Sequence, residues 1–232
     1  MDFIDNNLKL SDFFEKDIVK YKNILKSDKN NVLILYKIAY CYRKQHNYNL
    51  AVKYLTKIKH LTPFDSTIYF EIGCTEYENG NCCKAKKNLI QAIKLKPQYY
   101  DAYYFLGKTH ELCDENEMAE MIYLKIIECC PKYILAYNRL ANLYMQLENY
   151  KKAIKYFKGL TAINPEDETA YLGLAKAFEE LGQNFEAKKY YKKYLEIKPF
   201  SKYRDYILLK LKQFRQGKII NRVARANLYL VK

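Results

Sequence analysis

The sequence predicts an all-α fold, a solenoid of helix–turn–helix repeats, and three observations carry that prediction. All five prolines, Pro63, Pro97, Pro131, Pro165 and Pro199, stand 34 residues apart. A proline inside a helix loses a backbone hydrogen bond and clashes with the preceding turn, so this ladder marks a recurring helix end. With each proline at position 32 the repeats run 32–65, 66–99, 100–133, 134–167 and 168–201, and small residues then fall into columns. Position 20 reads Ala51, Ala85, Ala119, Ala153, Ala187; position 8 reads Ala39, Gly73, Gly107, Ala141, Ala175. Small side chains at fixed offsets let two helix backbones approach closely. The third observation is the apolar filling. Position 7 is Ile38, Ile72, Leu106, Leu140, Leu174, and position 4 is Leu35, Tyr69, Tyr103, Tyr137, Tyr171, side chains whose burial stabilises a core.

Residues 1–31 hold one helix ahead of the first repeat. Running the register backwards puts Tyr21 at position 24 and Ile24 at position 27. This predicts a helix from Asp12 to Lys26 with Phe13, Phe14, Ile18, Tyr21 and Leu25 facing inward at helical spacing, an amino-terminal cap for the array. Each repeat then contributes two helices joined by a turn, the second ending before its proline. After Pro199, the residues Tyr203, Tyr206, Ile207, Leu211 and Phe214 keep the three/four spacing, with Arg204, Lys210, Lys212 and Arg215 between them. Residues 202–232 therefore read as a capping helix with one polar face, ended by Gly217, and a basic tail.

These columns resemble the tetratricopeptide repeat (TPR), a 34-residue helix–turn–helix with a large residue at 4, Leu-Gly at 7 and 8, Tyr at 11, Ala at 20, an aromatic near 24 and Pro at 32. The fourth repeat carries the pattern best, in Tyr137, Leu140, Ala141, Tyr144, Ala153, Phe157 and Pro165. Departures are Glu76 and His110 at position 11, and Leu55 and Leu89 at position 24. The resemblance spans about 170 of the 232 residues. It implies a right-handed superhelical α-solenoid whose concave groove holds a segment of a partner protein.

Composition bounds the alternatives. Seven glycines and five prolines leave no flexible linker, so one continuous domain is expected. The start, MDFIDNNLKLSDFFEKD, lacks the basic region and unbroken apolar core of a secretory signal, and no apolar stretch is long enough to span a membrane. A cytoplasmic location follows as an expectation. Seven cysteines, an odd number, fit reduced thiols used as small apolar side chains. The net charge of +14 comes mostly from lysine. Within the repeats it reads as solvated surface rather than as a nucleic-acid footprint.

Candidate binding residues come from helix geometry. With 100° of rotation per residue, positions 4, 7, 8 and 11 share one sector of the first helix, and positions 2, 5, 9, 12 and 13 lie opposite, where successive repeats line a groove. That face offers the rings of Tyr36, Tyr40, Phe70, Tyr77 and Tyr104, the cations Arg43, Lys108 and Lys176, and the amides Asn138 and Asn142 one turn apart. Aromatic rings anchor partners at low entropic cost, and amides can bond a peptide backbone. The Lys/Asn/Arg clamp by which some TPR modules grip a chaperone's terminal carboxylate is absent; Tyr36 and Tyr40 are followed by Glu71, then by Asp101 and Phe105.

No cofactor or metal is expected. Cys82, Cys83 and Cys113 lack the CxxC spacing of zinc sites, and His110 reads as a packed ring. Phosphate loops, HExxH and GxSxG are missing, which argues against an enzyme. The second lead is the carboxy-terminal segment. Residues 202–232 hold nine basic residues against Asp205 alone, 9 − 1 = +8. Through Lys212, Arg215, Lys218, Arg222 and Arg225 this segment could bind nucleic acid or an anionic membrane weakly, or merely cap the array.

Overall fold

The computed structural model describes residues 2–214, with side chains from residue 13 onward, and every regular element among them is an α-helix. The helices are α1 (Asp2–Ser27), α2 (Val32–Lys44), α3 (Tyr48–Leu61), α4 (Ser66–Glu78), α5 (Cys82–Leu95), α6 (Tyr100–Leu112), α7 (Asn116–Cys129), α8 (Ile134–Gln146), α9 (Tyr150–Ile163), α10 (Glu168–Glu180) and α11 (Asn184–Ile197). A twelfth, α12, covers 204–214. They divide between two compact bodies, Met1–Ile126 and Ile127–Lys232, with the division falling inside α7. Gly217 and the tail residues Arg215, Lys218, Arg222 and Arg225 lie outside the described residues.

Helix α1 is longer than the sequence pattern predicts, beginning at Asp2 rather than Asp12. No glycine or proline precedes Pro63, so no helix breaker interrupts the backbone there. Ile18 is buried against Ile34, Ile38 and Tyr42, with Phe14, Tyr21 and Leu25 packed around it. Phe13 differs from expectation: it is 58% exposed, because neighbours on a helix point 100° apart and Phe14 takes the inward direction. In α12 only Ile207 is buried; Tyr206, and Tyr203 just ahead of the helix, are exposed.

Each hairpin closes on the same pair of columns. The alanines at position 20 are fully buried, and position 24, Leu55, Leu89, Tyr123, Phe157 and Tyr191, is buried throughout. Position 8 lies against position 24: a Cβ added to Gly73 would sit 2.7 Å from Leu89 Cγ, and one on Gly107 would sit 2.6 Å from Tyr123 Cε1. At these two glycines no room exists for even a methyl group, and the rest of the column is no larger than alanine.

The turn inside every hairpin is one motif repeated five times. Position 15 holds a left-handed backbone, with φ of 57° at His46, 76° at Gly80, 59° at Asp114, 55° at Glu148 and 69° at Gly182. The amide of the next residue reaches back to position 11, as from Asn47 to the Tyr42 carbonyl at 2.8 Å, and from Asn149 to that of Tyr144 at 2.8 Å. The position-15 amide bonds position 12, as from His46 to Arg43 at 3.0 Å. This is the Schellman closure, which satisfies the carbonyls a helix end leaves unpaired. Position 16 then starts the next helix, and the side chains of Asn47 and Asn149 accept from the amides of Leu50 and Lys152 as amino-terminal caps.

Candidate partner-binding surface

The first helices, α2, α4 and α6 in the amino-terminal body and α8 and α10 in the carboxy-terminal body, bring the candidate residues onto one face within each body. In the amino-terminal body the junction of α2 and α4 is ionic. Arg43 Nε and Nη2 donate to both oxygens of Glu78 at 2.7 and 2.6 Å, and Nη1 to Glu71 at 3.0 Å. A planar guanidinium matched to a carboxylate fork is the strong form of this interaction. Tyr36 bonds the same Glu71; burial first, and then the charge of Glu71, hold its hydroxyl above the ordinary tyrosine range. Tyr36, Arg43, Glu71 and Thr75 leave a cavity of only about 20 Å³, room for one water. Cys74, at a groove position by helix geometry, is 1% exposed, and burial pushes its thiol upward. Tyr40 remains 50% exposed, its ring meeting Phe14 at 6.4 Å and carrying Lys44 Nζ at 5.3 Å.

Between α4 and α6 the predicted rings gather around a residue absent from the sequence-derived set. Phe105 lies 5.6 Å from Phe70, 5.9 Å from Tyr77 and 5.7 Å from Tyr104, edge-on to each. Lys108 Nζ sits over this group, 4.6 Å from the Tyr77 and Phe105 centroids and 5.7 Å from that of Tyr104. The result is a continuous aromatic patch under a cation. Tyr99 meets Phe70 at 4.9 Å with the two rings tilted by 40°, and burial, reinforced by Glu71, pushes its hydroxyl up to about 12.

In the carboxy-terminal body the two amides bond within the protein. Asn142 Nδ2 donates to the backbone and side-chain oxygens of Asn138, both at 2.8 Å; Asn138 Nδ2 donates to Thr169 Oγ1 at 3.0 Å. Thr169 in turn donates to Asp167 at 2.6 Å. The network ties α8 to α10 and fixes the amides' orientation. Beside it opens a cavity of about 410 Å³ lined in part by Asn142, Met145, Leu172, Gly173, Lys176 and Tyr203. Lys176 is exposed, with Nζ 5.6 Å from the Tyr203 centroid. Lys212 is exposed on α12, while Lys210 pairs with Glu179 at 2.6 Å.

The two residues that helix geometry misses, Phe105 and Gly173, both occupy position 6, between the core sector and the groove sector. The column reads Lys37, Glu71, Phe105, Arg139, Gly173. At these two positions its size is the inverse of that at position 24 of the preceding repeat. Phe105 packs in the cluster containing Leu89, whereas a Cβ on Gly173 would meet the Phe157 ring at 2.3 Å. Among the described residues no group of three His, Cys, Asp or Glu side chains is placed to hold a metal. His110 is 8% exposed, with Nδ1 2.5 Å from Glu115 Oε2.

Paired helices repeated every 34 residues and closed by one turn motif define an α-helical hairpin-repeat protein. The chain is a tetratricopeptide repeat protein: three models described as tetratricopeptide repeat match residues 34–61, 122–155 and 144–210. No curated protein matches it. Among solved structures it is similar to MamA, with 26% identity and a TM-score of 0.63 over 72% of this chain and 92% of that one. The C-terminal part of a TPR repeat-containing protein from Cytophaga hutchinsonii shares 21% identity with a TM-score of 0.75, over 92% and 88% of the two chains. YrrB, described as a TPR protein with an unusual peptide-binding site, shares 15% identity with a TM-score of 0.60, over 83% and 97%. Among the described residues no helix is long and apolar enough to cross a membrane.

Proposed function

We propose that this chain is a non-enzymatic protein-interaction adaptor that holds a peptide segment of a partner against its first-helix face. The TPR fold and its TPR neighbours support a protein-interaction scaffold. The observation that carries the finer reading is the accessible side chains on rigid backbone: Leu33 and Tyr40 on α2, Leu135 and Asn142 on α8, and Lys176 on α10 are all exposed. Ordered anchors of this kind bind without a large ordering cost. The peptide-binding site ascribed to YrrB lends the same reading support by fold alone.

The test is affinity capture with mass spectrometry, comparing the wild-type chain with a Tyr36→Ala, Tyr40→Ala, Tyr104→Ala variant whose helicity is checked by circular dichroism. Loss of the captured partners with helicity kept is the expected result, and Tyr40→Asp alone should weaken the same captures. Recovery of the same partners from both variants overturns the proposal. Binding that ignores both variants, falls steeply with salt and needs residues 215–232 would assign the function to the basic tail instead.

A further inference from the structure

The cavity of about 410 Å³ in the carboxy-terminal body falls within the range of about 300–1,000 Å³ over which proteins enclose small groups. It suits one large side chain rather than a helix. Its floor exists because position 6 of the fifth repeat is glycine: a Cβ there would approach Phe157 Cζ to 2.3 Å, so no other residue permits α10 to lie this close to the ring. The same position carries Lys37, Glu71, Phe105 and Arg139 in the other repeats. Met145, Leu172 and Tyr203 form apolar sides.

The rim is charged, and its charges do not cancel. Glu168 and Lys198 pair with each other. Lys176 has the Tyr203 ring beneath its ammonium, and among the described residues no carboxylate lies within ion-pair distance of it. The protein also shows what a lysine at this offset does with an aromatic neighbour. Lys108, likewise at position 9, sits 4.6 Å above the Phe105 ring, and a ring under an ammonium is attracted through its quadrupole. An apolar floor, a cation placed to cover a ring and an unmatched positive charge together select one occupant.

We propose that this cavity takes an aromatic side chain of an acidic partner peptide, the ring resting over Gly173 and Leu172 beneath Lys176 and an adjacent carboxylate pairing with the Lys176 ammonium. The proposal deepens the peptide-binding reading above and rests on it. Nothing in it requires the aromatic patch around Phe105, so the two can fail separately.

The experiment is fluorescence anisotropy on the full chain with a fluorescein-labelled peptide, Ser-Gly-Asp-Asp-Phe-Asp-Gly-Ser. One control peptide replaces Phe by Ala and another replaces each Asp by Lys. The parent peptide binds, and either change weakens it by about tenfold or more, as loss of a central anchor does. Lys176→Glu, on an exposed residue, and Leu172→Trp, which fills the cavity, each cause a comparable loss with helicity retained. Equal binding of the Ala peptide, or binding indifferent to Lys176→Glu, overturns the inference. If no labelled peptide binds while captured partners still depend on Tyr40, the inference fails and the adaptor reading stands. Lys176-dependent binding of inorganic polyphosphate without peptide binding, or Lys176-dependent self-association in sedimentation, overturns it in favour of a phosphate ligand or a second copy.

Discussion

Asn81 donates a hydrogen bond of 2.7 Å to the carboxylate of Glu76, five residues earlier on the far side of the hairpin turn. Glu76 is 4% exposed at a position where the first, fourth and fifth repeats bury rings. In those repeats position 11 stacks on position 23: Tyr42 on Tyr54 at 5.7 Å, Tyr144 on Tyr156 at 5.5 Å, Phe178 on Tyr190 at 5.4 Å. The second and third repeats have Asn88 and Ile122 at position 23, and there a polar pair across the turn replaces the stack. His110 with Glu115 is the third repeat's version. Asn81 thereby leaves the capping role that Asn47 and Asn149 perform, and its side chain caps no helix.

Removing the donor should expose how much that pair contributes. Asn81→Ala leaves a buried carboxylate oxygen without its partner and should destabilise the chain by about 1–3 kcal/mol in urea unfolding. The double variant Glu76→Tyr, Asn88→Tyr installs the stack of the other repeats. A double-mutant cycle on it should give a favourable coupling of about 0.5–1.5 kcal/mol, and a coupling near zero would show that position 23 has no part in the substitution.

The left-handed turn offers changes of opposite sign. Glu148 has φ 55°, a conformation in which a Cβ crowds the following carbonyl, so Glu148→Gly should stabilise by about 1 kcal/mol and raise Tm by about 2–4 °C. Gly182→Ala should cost about 1–2 kcal/mol. A Cβ there meets nothing within 4 Å, so that cost would be backbone strain alone. Calorimetry on both variants checks the pair.

Closing the contact under the cavity should cost packing energy. Gly173→Ala drives a methyl into the Phe157 ring, and overpacking of this kind should destabilise by about 1–3 kcal/mol. Gly173→Ala combined with Phe157→Leu should recover most of it, since Leu89 is the residue that accompanies the large Phe105 in the third repeat. Urea midpoints of the single and double variants decide this.

Alkali should unfold the protein through its tyrosines. Burial raises the hydroxyls of Tyr36, Tyr191 and Tyr99, the last to about 12 from an ordinary 10.0. A raised folded-state pKa means the unfolded chain ionises first. The stabilisation is therefore complete below about pH 10; the part due to Tyr99 is lost as pH rises through about 12, and the part due to Tyr36 and Tyr191 at still higher pH. Urea midpoints against pH, followed with tyrosinate absorbance, should fall across that window, and Tyr99→Phe should make the fall shallower.

What the chain discloses in advance follows from how local each cause is. Pro63 to Pro199 and Ala51 to Ala187 are periodic because every hairpin has the same steric need, so the repeat is legible without coordinates. The left-handed position is half visible: Gly80 and Gly182 share a column, but His46, Asp114 and Glu148 occupy it elsewhere and hide the backbone requirement. A helical wheel considers one helix at a time and cannot register that Phe105 answers Leu89, or that Gly173 answers Phe157, each pair lying in consecutive repeats. The spacing of Asn138 and Asn142 is plain, whereas Thr169, the acceptor that orients them, is 31 residues away.

The Schellman closure also explains why the period holds at 34 through sequences otherwise so varied. Its two backbone bonds admit no slack between Tyr42 and Asn47. One residue inserted there would advance α3 by about 100° and roll its Ala51, Leu55 and Ile58 seam out toward water. Length is thus policed hairpin by hairpin through hydrogen-bond geometry, leaving side chains on the outer surface at liberty to diverge while the phase of every helix is conserved.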